Sequence, residues 1–80
     1  MNYRERIMAD PDIMLGKPII KGTRITVELI LKKLSEGMEI EELLEDYPSL
    51  SNEDIYACLD YAASLAEEQI TPIELLETAV

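Results

Sequence analysis

The sequence predicts a mostly α-helical protein that opens with a short β-hairpin, continues as a three-helix bundle and ends in a short C-terminal helix. Hydrophobic residues in the first 25 positions follow an extended pattern that is interrupted by Pro and Gly. From Thr26 onward they recur at helical spacing instead. Ser, Thr, Gly and Pro stand where the helices would begin and end, which fixes the order of the elements.

The hairpin is predicted around Lys21-Gly22. Residues 18–20 and 23–25 are two short runs that contain Ile, and Gly22 between them can adopt the positive φ of a tight turn. The first helix is predicted from Thr26, and Gly37 ends it as a C-terminal cap. Its apolar stripe consists of Val27, Ile30, Leu31, Leu34 and Met38.

Two more helices complete the predicted bundle. The second carries Ile40, Leu43, Leu44 and Tyr47 and stops at Pro48. Ser51 is a good N-cap for the third, and Asp54 can act as the acid of a capping box. The buried stripe of the third helix is predicted to be Ile55, Cys58, Leu59, Ala62 and Ala66. Because only a few residues join them, the second and third helices have helix-turn-helix proportions.

The chain is predicted to divide into a domain over residues 1–68 and a helical tail over residues 69–80. The tail helix would begin at Thr71, with Pro72 at its first position and Glu74 at its third. A chain of 80 residues buries only a small core. Its one cysteine, Cys58, cannot form a disulfide within the chain and is predicted to be a core residue. A homodimer is therefore expected, because pairing buries more surface.

The net charge of −10 is divided unevenly along the chain. All seven basic residues lie in the first 33 positions, whereas positions 34–80 hold thirteen acids and no base. The rear half is expected to attract a cationic partner and to repel nucleic acid. We expect a cytoplasmic protein, because no apolar run is long enough for a membrane span and a single thiol suits a reducing compartment.

The residue types favour binding over catalysis. The chain has no His and no Cys/His metal set, so neither an enzyme nor a cofactor is expected. The third helix lacks Lys and Arg, so DNA contacts would be weak and would come from the front half of the chain. These candidate nucleic-acid contacts are Lys17, Lys21, Arg24, Lys32 and Lys33. Candidate contacts to a partner protein are Glu67, Glu68, Ile73, Leu75 and Leu76, unless the tail packs on its own bundle.

Two segments at a fixed distance resemble one family. Residues 16–25, which read GKPIIKGTRI, are followed by a helix, a Gly, a Glu-rich helix and then YPSL at residues 47–50. Together, over roughly residues 4–68, they resemble the domain-of-unknown-function family 433, DUF433. The resemblance implies a homeodomain-like helix-turn-helix and an antitoxin role, since such domains are similar to antitoxins that pair with PIN-like ribonuclease toxins. The motif residues here are Gly16, Gly22, Thr23, Tyr47 and Pro48, of which Gly22 and Pro48 suit a scaffold role.

Two departures from the family pattern shape the functional hypothesis. Glu39 stands where members often carry Ser or Thr, which predicts a weaker cap for the second helix. The C-terminal half has no Arg with which to plug an acidic ribonuclease site. We therefore expect an antitoxin whose acidic half covers the cationic RNA-binding groove of its toxin, with weak DNA binding for autoregulation. The alternatives are a helix-turn-helix transcriptional regulator without a toxin, and a scaffold domain that only dimerises.

Overall fold

The structure is a computed structural model that describes residues 2–68 of the chain. A 3-10 turn over Tyr3–Glu5 precedes the first strand, β1, which is Ile7–Met8. A tight turn over Met14–Gly16 precedes the second strand, β2, which is Ile19–Ile20. Three helices follow, α1 over Val27–Ser35, α2 over Ile40–Asp46 and α3 over Asn52–Glu68. The predicted class, a short sheet followed by three helices, is confirmed. The tail helix predicted from Thr71 lies outside the described residues.

The two-stranded sheet joins different segments from those predicted. β1 pairs with β2 in antiparallel register, with Ile7 opposite Ile20 and Met8 opposite Ile19. Residues 23–25, which were predicted to be the second strand, are not a strand. The predicted pairing is present only as an isolated antiparallel bridge between Ile19 and Thr26, where the N–H of Ile20 donates to the Ile25 carbonyl at 3.0 Å. The regular partner of β2 is instead a strand that precedes it by a loop of ten residues.

A turn after β2 explains why residues 23–25 leave the sheet. The N–H of Thr23 donates to the Ile20 carbonyl at 3.1 Å, and Gly22 at the third turn position has φ +80°, as a type II turn requires. The Thr23 hydroxyl donates to the same Ile20 carbonyl at 2.8 Å and accepts the N–H of Ile25 at 3.0 Å. Because the Thr23 side chain takes the N–H of Ile25, the pairing with β2 is reduced to the Ile25 carbonyl, which accepts the N–H of Ile20 at 3.0 Å, and no regular ladder forms.

The predicted caps of α1 are confirmed. The Thr26 hydroxyl accepts the N–H of Leu29 at 3.1 Å, which satisfies one free donor of the first turn. Gly37 follows the helix with φ +94°, and the N–H of Met38 donates to the Lys33 carbonyl at 3.1 Å. This is the Schellman arrangement, which a left-handed glycine permits. The helix therefore ends where the sequence predicts.

The starts of α2 and α3 also follow from local chemistry. The N–H of Ser51 donates to the Asp54 carboxylate at 3.0 Å, and the N–H of Asp54 donates to the Ser51 hydroxyl at 3.3 Å. The predicted capping box of α3 is thus confirmed. At α2, the N–H of Glu39 donates to the Glu42 carboxylate at 3.2 Å, so the first turn is supported without Ser or Thr.

The core lies where α1, α2 and α3 meet the two strands. Leu59 and Ala66 were predicted to be buried on α3, but both are exposed, and Ala57 is buried instead. The reason is the N-terminal segment, whose Tyr3 ring packs edge-on against Tyr61 at 5.2 Å between centroids and so fixes which side of α3 is covered. The buried cluster comprises Ile7, Ile20, Val27, Ile30, Leu43, Leu50, Ile55, Ala57 and Cys58.

Candidate protein-interaction surface

Exposed carboxylates dominate α2, α3 and the turn before α2. No basic residue follows Lys33 in the sequence, so nothing within the chain after that point neutralises them. We call this set the acidic surface, and it includes Glu67 and Glu68, two of the predicted partner contacts, at the exposed end of α3. Within residues 36–68 its members are Glu36, Glu39, Glu41, Glu42, Glu45, Asp46, Glu53, Glu67 and Glu68.

An apolar stripe runs along the solvent side of α3. Tyr56 and Leu59 are 50% and 44% exposed, and Ala63 and Ala66 are exposed on the same side. The spacing of three, four and three residues aligns them along the helix, and we call this set the α3 stripe. An apolar centre bordered by charge is typical of a protein interface. The stripe was not predicted from the sequence, because Leu59 and Ala66 were expected to lie in the core.

Acidic residues border the α3 stripe on one edge. Glu53, Asp60 and Glu67 recur at intervals of seven residues, so they lie above one another on the helix. Glu53 and Glu67 are exposed, whereas the Asp60 carboxylate is half-buried and accepts the N–H of Tyr3 at 3.0 Å. The stripe therefore presents apolar area with a negative border, and Asp60 also secures the N-terminal segment to the helix.

The predicted nucleic-acid contacts nearest α1 are partly neutralised. Lys17 donates to the Glu28 carboxylate at 2.8 Å, and this hydrogen bond, with the lysine charge, holds the pKa of Glu28 below its usual value. Lys32 lines one hollow together with Lys17 and Glu28. Two cations around one anion form a weaker phosphate site than the sequence suggests.

The remaining predicted nucleic-acid contacts lie elsewhere on the surface. Lys21 lines a hollow with Glu5, Arg6 and Asp54, and Lys33 lines another with Glu36 and Glu42. Arg24 is exposed in the loop after the β2 turn. The structure therefore does not bring the five cations into one hollow, and four of them share their hollow with a carboxylate.

The family follows from a match that covers most of the domain. The model of the family described as "Protein of unknown function (DUF433)" matches residues 7–62. The chain belongs to the DUF433 family. This confirms the resemblance drawn from residues 16–25 and 47–50.

Two relatives of this DUF433 chain show how the domain occurs elsewhere. It is 37% identical over 59 residues to the uncharacterized protein y4eO of Sinorhizobium fredii (strain NBRC 101917 / NGR234), a match over 74% of this chain and 27% of that protein. It is also similar to the crystal structure of a DUF433 member from Anabaena variabilis ATCC 29413, with 32% identity and a TM-score of 0.73. That match covers 79% of this chain and 62% of the other. The chain thus spans about a quarter of the first relative and under two thirds of the second.

The DUF433 motif residues lie in turns. Gly16 and Gly22 both have φ +80°, and Thr23 holds the turn after β2. Tyr47 is half-buried against the core, and its carbonyl accepts the N–H of Leu50 at 2.9 Å across Pro48. Each motif residue therefore lies in a turn of the backbone.

One turn of this DUF433 chain adopts a conformation that its sequence does not indicate. Met14 and Leu15 have φ +50° and +58°, and Gly16 continues the left-handed run. For residues other than glycine this conformation costs about 1–2 kcal/mol each. Leu15 nevertheless lies 94% exposed, so no contact within the described part of the chain offsets that cost through burial. We call residues 14–16 the left-handed turn.

The described residues offer neither a membrane span nor a metal site. No helix within residues 2–68 is long and apolar enough to cross a membrane. Across the same residues, no three His, Cys, Asp or Glu side chains come together in a way that could hold a metal ion.

The thiol of Cys58 should be unreactive in the folded protein. It is fully buried, and burial raises its pKa to about 12, with a smaller contribution from the negative charge of Asp54. Because the thiolate is the reactive form, a maleimide or disulfide reagent at pH 8 should label the native chain far more slowly than the same chain in urea. Rapid stoichiometric labelling of the native chain, followed by mass spectrometry, would contradict the core role.

Proposed function

We propose that this DUF433 chain is the antitoxin of a toxin–antitoxin pair and that it inhibits a PIN-like ribonuclease by covering its RNA-binding groove. The observation that carries the proposal is the outer side of α3, where the apolar Tyr56 and Leu59 lie exposed beside Glu53 and Glu67. An interface of this composition suits a basic protein surface and would repel nucleic acid.

The physical argument rests on what a ribonuclease groove must offer. A groove that holds RNA is lined with cations, because the phosphates carry most of the binding free energy. The acidic surface supplies carboxylates that compete for those cations, while burial of the α3 stripe supplies the affinity that exposed ion pairs alone do not give. Inhibition would then be competitive with RNA. Ile73, Leu75 and Leu76 lie outside the described residues and would extend the contact.

A second part of the proposal concerns DNA and location. Weak operator binding for autoregulation would use Lys21, which is exposed within the β2 turn, and Arg24, which is exposed just after it. The absence of Lys and Arg from α3 argues against insertion of that helix in the major groove. The site of action would be the cytoplasm, where an RNA-cutting toxin meets its substrate.

A binding experiment with matched variants tests the antitoxin proposal. The tagged chain is recovered from its native cells, and a co-eluting ribonuclease is identified by mass spectrometry and purified for an RNA-cleavage assay. The wild-type chain should inhibit cleavage, and the double variant Tyr56→Ala/Leu59→Ala should need at least about tenfold more protein for the same inhibition. Leu65→Ala is the control, because Leu65 is 47% exposed on the same helix but lies off the stripe.

The controls separate the proposal from its alternatives. Equal inhibition by the double variant and by the wild type would remove α3 from the contact. If no ribonuclease is recovered, retardation of duplex DNA at low salt becomes the deciding measurement. DNA binding that disappears in Lys21→Ala/Arg24→Ala would then favour a transcriptional regulator without a toxin.

A further inference from the structure

An apolar groove lies between α1 and α3, on a different side from the α3 stripe. Its volume is about 500 Å³, and Tyr61, which lines it, is two residues and therefore about 200° around α3 from Leu59. Most of its lining side chains are apolar, and Glu28 and Lys32 are its two charged lining residues. The lining residues are Pro18, Val27, Glu28, Leu31, Lys32, Ser35 and Tyr61.

The left-handed turn borders the same face. A second hollow of about 350 Å³ is lined by Met14 of the turn together with Lys17, Glu28 and Lys32. Since Glu28 and Lys32 line both hollows, the two hollows are neighbours on either side of this pair of α1 residues. Leu15 follows Met14 in the turn, and 94% of its surface is exposed. One face thus carries both an apolar projection and an apolar groove, which we call the pairing face.

Charge indicates which partner can approach this face. Each chain carries a net charge of −10, so two copies repel one another through most orientations. The pairing face is the exception, because Lys17, Glu28 and Lys32 leave it with a small positive charge. Two copies that meet here keep their acidic surfaces apart. Because this face carries no excess of carboxylates, a second copy meets less repulsion here than elsewhere on the chain, and it supplies a matching projection and groove.

We propose that two copies of the chain pair through this face around a two-fold axis, with Leu15 of each copy seated in the groove of the other. A two-fold contact uses the same patch on both chains, so it requires a patch that complements itself. A projecting leucine beside an apolar groove meets that requirement. This pairing would explain why a left-handed backbone holds Leu15 away from its own core. The pairing is independent of the α3 stripe and goes beyond the proposed function.

The oligomeric state of single-site variants tests the proposal. In sedimentation equilibrium the full wild-type chain should have twice its 9.1 kDa mass. Leu15→Asn should weaken dimerisation at least about tenfold while it leaves the fold intact, because Asn tolerates a left-handed backbone and the side chain makes no core contact. Leu31→Glu, which places a charge in the groove, should act in the same direction. Leu59→Asn on the α3 stripe should leave the dimer unchanged.

The outcomes are decisive in either direction. A wild-type chain that is monomeric at every concentration overturns the pairing, and it would leave the groove to residues 69–80 or to another protein. A dimer that Leu59→Asn dissociates and Leu15→Asn does not would also overturn it. Loss of the dimer in Leu15→Asn, with ribonuclease inhibition retained, would support the pairing face and show that it is separate from the α3 stripe.

Salt gives a second readout that distinguishes the two surfaces. Raising NaCl from about 0.05 M to about 0.5 M screens the repulsion between two negative chains, so the proposed dimer should tighten. The contact between the acidic surface and a basic ribonuclease should weaken over the same range. A dimer that dissociates as salt rises would contradict an interface built on Leu15 and the groove.

Discussion

Replacing Leu43 with alanine should lower the free energy of unfolding by about 2–5 kcal/mol. Leu43 has no exposed surface and is the one fully buried residue that α2 contributes to the core. α2 has seven residues, too few for a helix that is stable on its own, so its place in the bundle depends on this side chain. Since small domains have about 5–15 kcal/mol of stability in total, the variant should be close to unfolding.

Urea unfolding followed by circular dichroism measures this effect. Leu43→Met nearly conserves volume and should cost less than about 1.5 kcal/mol. Leu44→Ala is the matched control, because Leu44 is the next residue of α2 and only half-buried. A loss in Leu43→Ala no larger than that in Leu44→Ala would mean that α2 is held by its caps rather than by burial.

The ends of the helices could be predicted because the interactions that set them are local. The side chains of Thr26 and Ser51 each accept the backbone N–H of the residue three positions later. Gly37 ends its helix by adopting a positive φ. Short stretches of sequence are therefore enough to predict such contacts. Tertiary packing did not move these boundaries, so the local prediction of three helices held.

The sheet could not be predicted because its pairing is not local. The partner of Ile20 is Ile7, thirteen residues earlier, and no turn signal near either residue points to the other. The pairing depends on how the N-terminal segment is tied to α3, where the Tyr3 N–H reaches Asp60. A contact between residues 57 positions apart leaves no periodic trace in the sequence.

The interaction surfaces were predicted in charge but not in shape. The division of charge at Lys33 is visible in the sequence, and it correctly places the carboxylates on α2 and α3. The rotation of α3 is not visible, because Leu59 fits a helical stripe as well as Ala57 does. Leu15 gives no signal at all, since leucine is not a residue that predicts a left-handed turn. The apolar parts of both surfaces therefore needed the fold.

The two proposed surfaces differ in their charge. The pairing face would use the charge-balanced region around α1, and the α3 stripe would use the acidic region. A dimer built in this way presents two acidic surfaces outward, so each copy would bind one basic partner and the dimer would bind two. This arrangement predicts that loss of pairing reduces inhibition only through lost bivalency, not through lost contacts.

Replacing Asp54 with alanine should lower the free energy of unfolding by about 2–3 kcal/mol, because one carboxylate connects the start of α3 to the N-terminal segment. Asp54 is 7% exposed and lies near the positive end of the α3 dipole. It accepts the N–H of Ser51 at 3.0 Å through one oxygen and the Arg6 guanidinium at 3.1 Å through the other. Glu53→Ala, one position earlier on the exposed side, should change stability by less than about 0.5 kcal/mol.

A double-mutant cycle separates the two roles of Asp54. The coupling with Arg6 should be about 1 kcal/mol, because the Arg6 side chain is 39% exposed and solvent screens the pair. The rest of the loss belongs to the cap, which Asp54→Asn should partly restore by keeping an oxygen for the Ser51 N–H. If Arg6→Ala costs as much as Asp54→Ala and the double variant costs no more than either, the ion pair rather than the cap accounts for the loss. If the cap accounts for all of it, Arg6→Ala should be nearly as stable as the wild type.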